Sequence, residues 1–155
     1  MTLCRTKKFF PDLKAKDEGC GNVILSEVIE VTDLTYNQLM NRAGELYRNG
    51  EFLAAYDLVT RNSSKVGGNA AQLLNFRYCF ACRAGGPGLA MNIMKEAVID
   101  RGFWYSYEYL ISDDDLQPLR DLPEFRRMAD ICKERERAAK EASRPGLTVV
   151  LPESD

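Results

Sequence analysis

Histidine is absent from the 155-residue chain. Its absence excludes Ser-His and Cys-His nucleophile systems and every histidine-ligated metal site, because histidine supplies the base or ligand in each of them. The Gly-x-Ser-x-Gly pattern of a nucleophile elbow is missing as well. We therefore expect this chain to be non-catalytic and to carry no cofactor.

An excess of basic charge and long apolar runs are also missing. The chain has 21 Lys and Arg against 23 Asp and Glu, whereas proteins that bind nucleic acids or anionic membranes usually carry a basic excess. Its apolar runs fall short of the roughly 18 residues that a membrane span needs. Residues Met1 to Phe10 lack the apolar stretch of a secretory signal. These features predict a cytoplasmic protein that binds neither nucleic acid nor membrane.

Cysteine is present five times, an odd number scattered along the chain. This pattern favours reduced thiols over a disulfide framework. Cys79 and Cys82 form a C-x-x-C pair, and Cys4 and Cys20 would complete a four-thiolate zinc site. The pair falls in the middle of a predicted helix, however, where cysteines usually serve as small buried side chains. We therefore predict no metal site.

The chain does contain an internal repeat, because it overlays on itself when shifted by 35 residues. Each copy predicts a helix, a turn at a glycine with a left-handed backbone, and a second helix. A small residue five positions after the glycine marks a place where two helices cross closely. Neither hairpin can bury its apolar face alone, so the two are expected to stack. The matching pairs include Leu39 and Leu74, Arg48 and Arg83, Gly50 and Gly85, and Ala55 and Ala90.

Three regions are expected along the chain. Residues 1–32 form an arm with little regularity, in which Val23–Val31 is either a short helix or a strand. Residues 33–143 form the helical domain. Residues 144–155 form an extended tail or the start of a missing domain, since Leu147–Leu151 resembles a strand with no sheet to join.

Local signals place the helices within the central region. Thr35 and Gln38 form a capping-box pattern at the first helix, and Gly85–Gly88 is interpreted as a turn. Asp113–Asp115 is interpreted as a helix cap, because it lacks the alternating spacing of a calcium loop. The predicted helices are Thr35–Asn49, Glu51–Thr60, Ala70–Arg83, Leu89–Ile99 and Pro123–Ser143.

The repeat resembles the tetratricopeptide (TPR) family, on residues Leu39, Ala43, Gly50–Phe52, Ala55, Leu74, Gly85, Ala90 and Ala97. The resemblance implies an all-α fold, an α-α superhelix of TPR-like hairpins with a C-terminal capping helix. It also implies that a protein or peptide partner binds on the concave face of the first helices. Arg48 and Arg83 are equivalent there and suit an acidic peptide, although polar side chains are ordinary on any solvated surface. By this register, the concave face holds Asn37, Met40, Tyr47, Arg48, Gln72, Asn75, Cys79 and Arg83.

The aromatic stretch Phe103–Leu110 admits two interpretations. Trp104 and its neighbouring tyrosines form either a partner-binding patch or a seal over the open end of the repeat stack.

A second resemblance is to the helical domains that precede an α/β-hydrolase domain, esterase-like or phospholipase-like, in bacterial proteins. Two functions are therefore expected. The leading hypothesis is a non-catalytic protein-protein interaction or scaffold module. The alternative is the N-terminal accessory domain of a serine α/β-hydrolase whose catalytic domain lies outside this chain and would itself be the partner. The matching segments are Ala97–Val98, Gly102–Trp104, Asp113–Leu116, Leu119–Arg120 and Leu122–Phe125.

Overall fold

The computed structural model of the chain describes residues 34–143. The predicted arm, including Val23–Val31, and the strand-like segment Leu147–Leu151 lie outside these residues. The described part is all-α and contains no β-strand. Its elements are α1 (Tyr36–Arg48), α2 (Phe52–Asn62), α3 (Ala70–Arg83), α4 (Pro87–Lys95), a π-helical segment (Glu96–Asp100), α5 (Tyr107–Ser112), a 3-10 helix (Asp114–Leu119) and α6 (Pro123–Ala142).

The predicted capping box begins α1. The Gln38 amide donates to the Thr35 hydroxyl at 3.3 Å, and the Thr35 amide donates to the Gln38 side chain at 3.0 Å. Two amide groups that the first helical turn cannot satisfy are thereby bonded. Asn69 caps α3 in a related way, since its side chain accepts from the Gln72 amide at 3.1 Å.

The turns that close the two hairpins have the same geometry, as the repeat predicts. Gly50 and Gly85 adopt φ angles of +79° and +83°, which favour glycine because a Cβ would be strained there. In each turn, the residue after the glycine donates its amide to a carbonyl five residues back, Leu46 in one copy and Ala81 in the other, both at 2.9 Å. This Schellman geometry ends α1 and α3 and reverses the chain.

Helix α3 lies between two buried apolar clusters and contributes to both. The hairpin-one core joins α1 and α2 to one side of α3. The cap core joins the other side of α3 to α4 and to everything that follows. The hairpin-one core consists of Leu39, Ala43, Ala55, Val59, Val66, Leu73 and Phe80. The largest members of the cap core include Tyr78, Met91, Met94, Trp104, Tyr105, Leu110, Leu116, Leu119, Phe125 and Met128.

The helix predicted for Leu89–Ile99 begins two residues earlier, at Pro87, and changes character before its end. Pro87 starts α4 because a first-turn residue needs no amide donor. From Glu96 the backbone follows π-helical hydrogen bonds, and Gly102 then turns the chain with φ +70°. Arg135 of α6 binds this region, because its Nη1 donates to the carbonyls of Val98 at 2.6 Å and Phe103 at 3.0 Å.

Replacing Arg135 with methionine should lower the free energy of unfolding by about 1–2 kcal/mol, since methionine keeps the apolar stem and loses both hydrogen bonds. Arg137→Met is the matched control on the same helix. Arg137 pairs with Glu134 and Glu141 in exposed positions, where ion pairs contribute little to stability. Urea unfolding followed by circular dichroism measures both. A control variant that loses as much stability as Arg135→Met contradicts the assignment.

Candidate interaction surface

Five of the seven predicted partner-binding residues lie at least partly on the surface of α1 and α3. Asn37, Arg48 and Arg83 are exposed, while Tyr47 and Gln72 are half-buried. They lie toward the two ends of these helices. Near the starts of these helices, the Tyr36 hydroxyl donates a hydrogen bond to the Gln72 side chain at 2.5 Å.

The other two predicted residues, Asn75 and Trp104, are buried and do not lie on this surface. Asn75 is 2% exposed and Trp104 is 9% exposed. Asn75 accepts a hydrogen bond from the Tyr78 hydroxyl inside the domain. Cys79, which the same register placed on the concave face, is also buried. The reason is that the cap core covers the side of α3 that a simple two-hairpin stack would leave open.

The aromatic stretch seals α3 and does not present a patch around Trp104. The Tyr105 hydroxyl donates to the carbonyl of Ala71 at 2.8 Å, and its ring meets that of Tyr78 edge-on at 5.6 Å. The Tyr109 hydroxyl lies 3.3 Å from the Cys79 sulfur. Of the two interpretations of this stretch, the seal is the one that these contacts support.

At the opposite end of α3, four residues from four elements meet in what we call the Asp115 cluster, formed by Tyr47, Phe52, Arg83 and Asp115. The Tyr47 hydroxyl donates to Asp115 Oδ1 at 2.7 Å. Arg83 Nε lies 3.5 Å from the same oxygen, and its guanidinium carbon lies 4.6 Å from the centre of the Phe52 ring. A carboxylate of this chain therefore contacts two of the residues expected to bind an acidic partner.

Burial dominates the electrostatics of this cluster. It raises the pKa of Asp115, and the Tyr47 hydrogen bond and the Arg83 charge offset part of that rise. Burial and the hydrogen bond to Asp115 also raise the pKa of the Tyr47 phenol. At neutral pH the phenol is therefore a neutral donor to the carboxylate.

The raised pKa of Asp115 predicts an unusual pH dependence. A carboxyl whose folded pKa exceeds its unfolded value stabilises the fold most below the unfolded pKa, about 3.9, and that contribution is lost as pH rises through the folded pKa. Asp115→Asn keeps an oxygen acceptor for Tyr47 and has no such titration. We expect its stability, relative to the parent chain, to improve between pH 3.5 and pH 7.

Urea unfolding at the two pH values measures this effect. Asp114→Asn is the control, because Asp114 is an exposed neighbour on the same 3-10 helix. A relative stability of Asp115→Asn that falls as pH rises contradicts the interpretation.

The described thiols and carboxylates form no reactive or metal-binding constellation. Cys79, Cys82 and Cys132 are buried, and burial raises the pKa of each thiol, so they remain protonated at neutral pH. Asp113 caps the 3-10 helix as predicted, by accepting from the Asp115 amide at 2.9 Å. Within residues 34–143, no group of three or more Cys, Asp or Glu side chains is arranged to hold a metal ion.

Sequence reasoning did not find the open groove of about 440 Å³ between the start of α5 and the last turns of α6. The Lys133 ammonium lies 4.8 Å from the centre of the Tyr107 ring, and Glu136 accepts from the Tyr107 amide at 3.1 Å. Glu136 also pairs with Lys140, four residues later on the same helix, at 2.8 Å. Most of the charged residues that line the groove therefore pair with one another.

A helix that spans a membrane must be both long and apolar. None of the described helices combines the length and apolar character that a bilayer span requires.

Residues 35–140 match the family model of the A/B hydrolase-like N-terminal domain. The chain therefore belongs to this family of helical domains. The TPR resemblance suggested by the repeat stays a prediction.

A solved structure supports this assignment at the level of the fold. It is that of an uncharacterized protein from Bacillus cereus ATCC 10987, to which the chain is similar with 44% sequence identity and a TM-score of 0.68. The similarity covers 76% of this chain and 39% of the Bacillus cereus chain. This chain thus spans well under half of that protein. No curated protein matches the chain.

Proposed function

We propose that this chain is the non-catalytic N-terminal accessory domain of an α/β-hydrolase. The observation that carries the proposal is the family match, which extends over residues 35–140 and so includes all the described helices except the last two residues of α6. This is the alternative that the second resemblance suggested, and it is better supported than a freestanding scaffold.

Two features of the chain support a non-catalytic role. It has no histidine to serve as a general base, and general bases in serine and cysteine hydrolases are most often histidines. The described cysteines are buried and so are poorly placed to attack a substrate. In this proposal, the chemistry belongs to a separate hydrolase domain.

The proposed partner is therefore a hydrolase domain, and the length of the Bacillus cereus protein is compatible with this arrangement. Since the similarity covers 39% of that chain, that protein has ample length for a second domain. A role as an independent binder of acidic peptides has less support, because Asp115 already contacts Tyr47 and Arg83.

The purified 155-residue chain should not hydrolyse p-nitrophenyl acetate or butyrate above the rate of a heat-denatured sample of equal concentration. The physical reason is the lack of an activated nucleophile. Initial rates at 405 nm measure this, and a second purification on a different resin controls for contaminating esterases. Turnover that stays constant per mole of protein through both purifications contradicts the proposal.

A further inference from the structure

The first hairpin is built as a separate packing unit. Helix α1 packs mainly on α2, and α2 packs on α3, so the hairpin-one core reaches the rest of the domain through one side of α3. The cap core begins on the other side of that helix. Units with their own core and a single border often open independently of the rest of a domain.

Within residues 34–143, three side-chain hydrogen bonds connect the first hairpin to other elements. Two of them reach α3, the helix that borders the hairpin: Tyr36 to Gln72 at 2.5 Å, and Arg77 to Thr60 at 3.2 Å. The third reaches beyond α3, from Tyr47 at the end of α1 to Asp115 on the 3-10 helix, at 2.7 Å.

Asp115 is a firmly held acceptor. Leu116 and Leu119 of the same 3-10 helix are both 0% exposed, and Asp113 accepts from the Asp115 amide. The 3-10 helix is thus packed in the cap core. This packing fixes the position of the Asp115 carboxylate next to the first hairpin. Because the acceptor is charged, this hydrogen bond is of the stronger kind.

We infer that the hydrogen bond between Tyr47 and Asp115 is a latch, that is, a single contact that holds the first hairpin (α1 and α2) against the elements of the cap core. When the latch is broken, α1 and α2 open together as one unit. They hinge on the connection between α2 and α3, where Gly68 has a φ of +118°. Helices α3 to α6 stay packed, because the buried residues of the cap core lie on α3 or later in the chain, and Tyr56 of α2 only packs against the edge of that core as a partly buried ring.

Amide hydrogen exchange by mass spectrometry on the 155-residue chain tests the latch. Tyr47→Phe and Asp115→Ala each remove the hydrogen bond, which should speed exchange across residues 36–62 by about 10- to 100-fold, as expected for a hydrogen bond to a charged group. Exchange across residues 70–142 should stay within about threefold of the parent chain.

Two further variants separate the latch from general destabilisation. Asp115→Asn keeps a neutral acceptor for Tyr47, so its exchange across residues 36–62 should fall between the rates of the parent chain and of Asp115→Ala. Tyr56→Phe makes the same chemical change on α2, at a hydroxyl that forms no hydrogen bond among the described side chains, and should have little effect. The inference is overturned if Tyr47→Phe speeds exchange equally in all helices or leaves α1 and α2 unchanged. It is also overturned if Asp115→Asn acts as strongly as Asp115→Ala.

Discussion

Gly68→Ala is expected to lower the free energy of unfolding by about 2–5 kcal/mol, the combined cost of a strained backbone and an overpacked contact. Gly68 has a φ of +118°, a conformation that residues with a Cβ rarely adopt. An added Cβ would also lie 2.6 Å from Cδ2 of Tyr36. The ring cannot easily move away, because its hydroxyl bonds to Gln72. Urea unfolding followed by circular dichroism at 222 nm measures the loss.

Gly67→Ala is the matched control, one residue earlier in the same loop. A Cβ at Gly67 meets nothing within 4 Å, and the residue has no positive φ. Its stability should change by less than about 1 kcal/mol, with a small gain possible because alanine restricts the unfolded chain. If Gly67→Ala and Gly68→Ala unfold at the same urea concentration, the geometry of this loop is wrong.

Ala90→Leu should cost about 3 kcal/mol, at the upper end of the usual range for overpacking. Ala90 is 0% exposed on α4 and belongs to the cap core. Its repeat partner Ala55 is equally buried on α2, which fits a close helix crossing at both positions. The extra carbons of leucine would force α4 away from its neighbours, and thermal unfolding should show a clear fall in melting temperature.

Ala54→Leu provides the comparison for that variant. It makes the same substitution on an exposed position of α2, next to the buried alanine of the first hairpin. Its melting temperature should stay close to that of the parent chain. Equal losses at Ala54 and Ala90 would mean that the repeat does not set the helix crossings.

The sequence predicted the two hairpins well because their signals are local. The Thr35 capping box, the glycines at 50 and 85 and the buried alanines at 55 and 90 depend only on neighbours within a few residues. Their positions in the structure follow the predicted register. The π-helical segment after α4 was not predicted, because Glu96–Asp100 reads as a continuation of the α-helix.

The candidate surface was predicted only in part because it depends on distant contacts. Asn75 shares a side-chain hydrogen bond with Tyr109, 34 residues later in the chain, and Tyr47 meets Asp115 across 68 residues. The spacing of apolar residues along α1 and α3 carries no information about contacts between residues this far apart in the chain. The TPR register therefore placed Asn75 on an open face that the cap core covers.

The resemblance that indicated the family depends largely on packing residues. Trp104 and Phe125, two of its aromatic positions, are 9% and 2% exposed, and Leu116 and Leu119 are fully buried. Such residues identify a fold and carry no chemistry. This explains why the sequence pointed to a hydrolase-associated domain without offering a catalytic site.

The central claim is that this domain accompanies a hydrolase and does not perform the hydrolysis. The most direct test is a chimera in which residues 34–143 replace the matching segment of the Bacillus cereus protein. A fluorophosphonate probe, which labels activated serines, is applied to the chimera and to the 155-residue chain, and peptide mass spectrometry locates the label. We expect the chimera to fold and to be labelled at a serine in its Bacillus cereus part, outside residues 34–143. We expect no label on the 155-residue chain. Label on a serine of this chain, or no label on either protein, would contradict the claim.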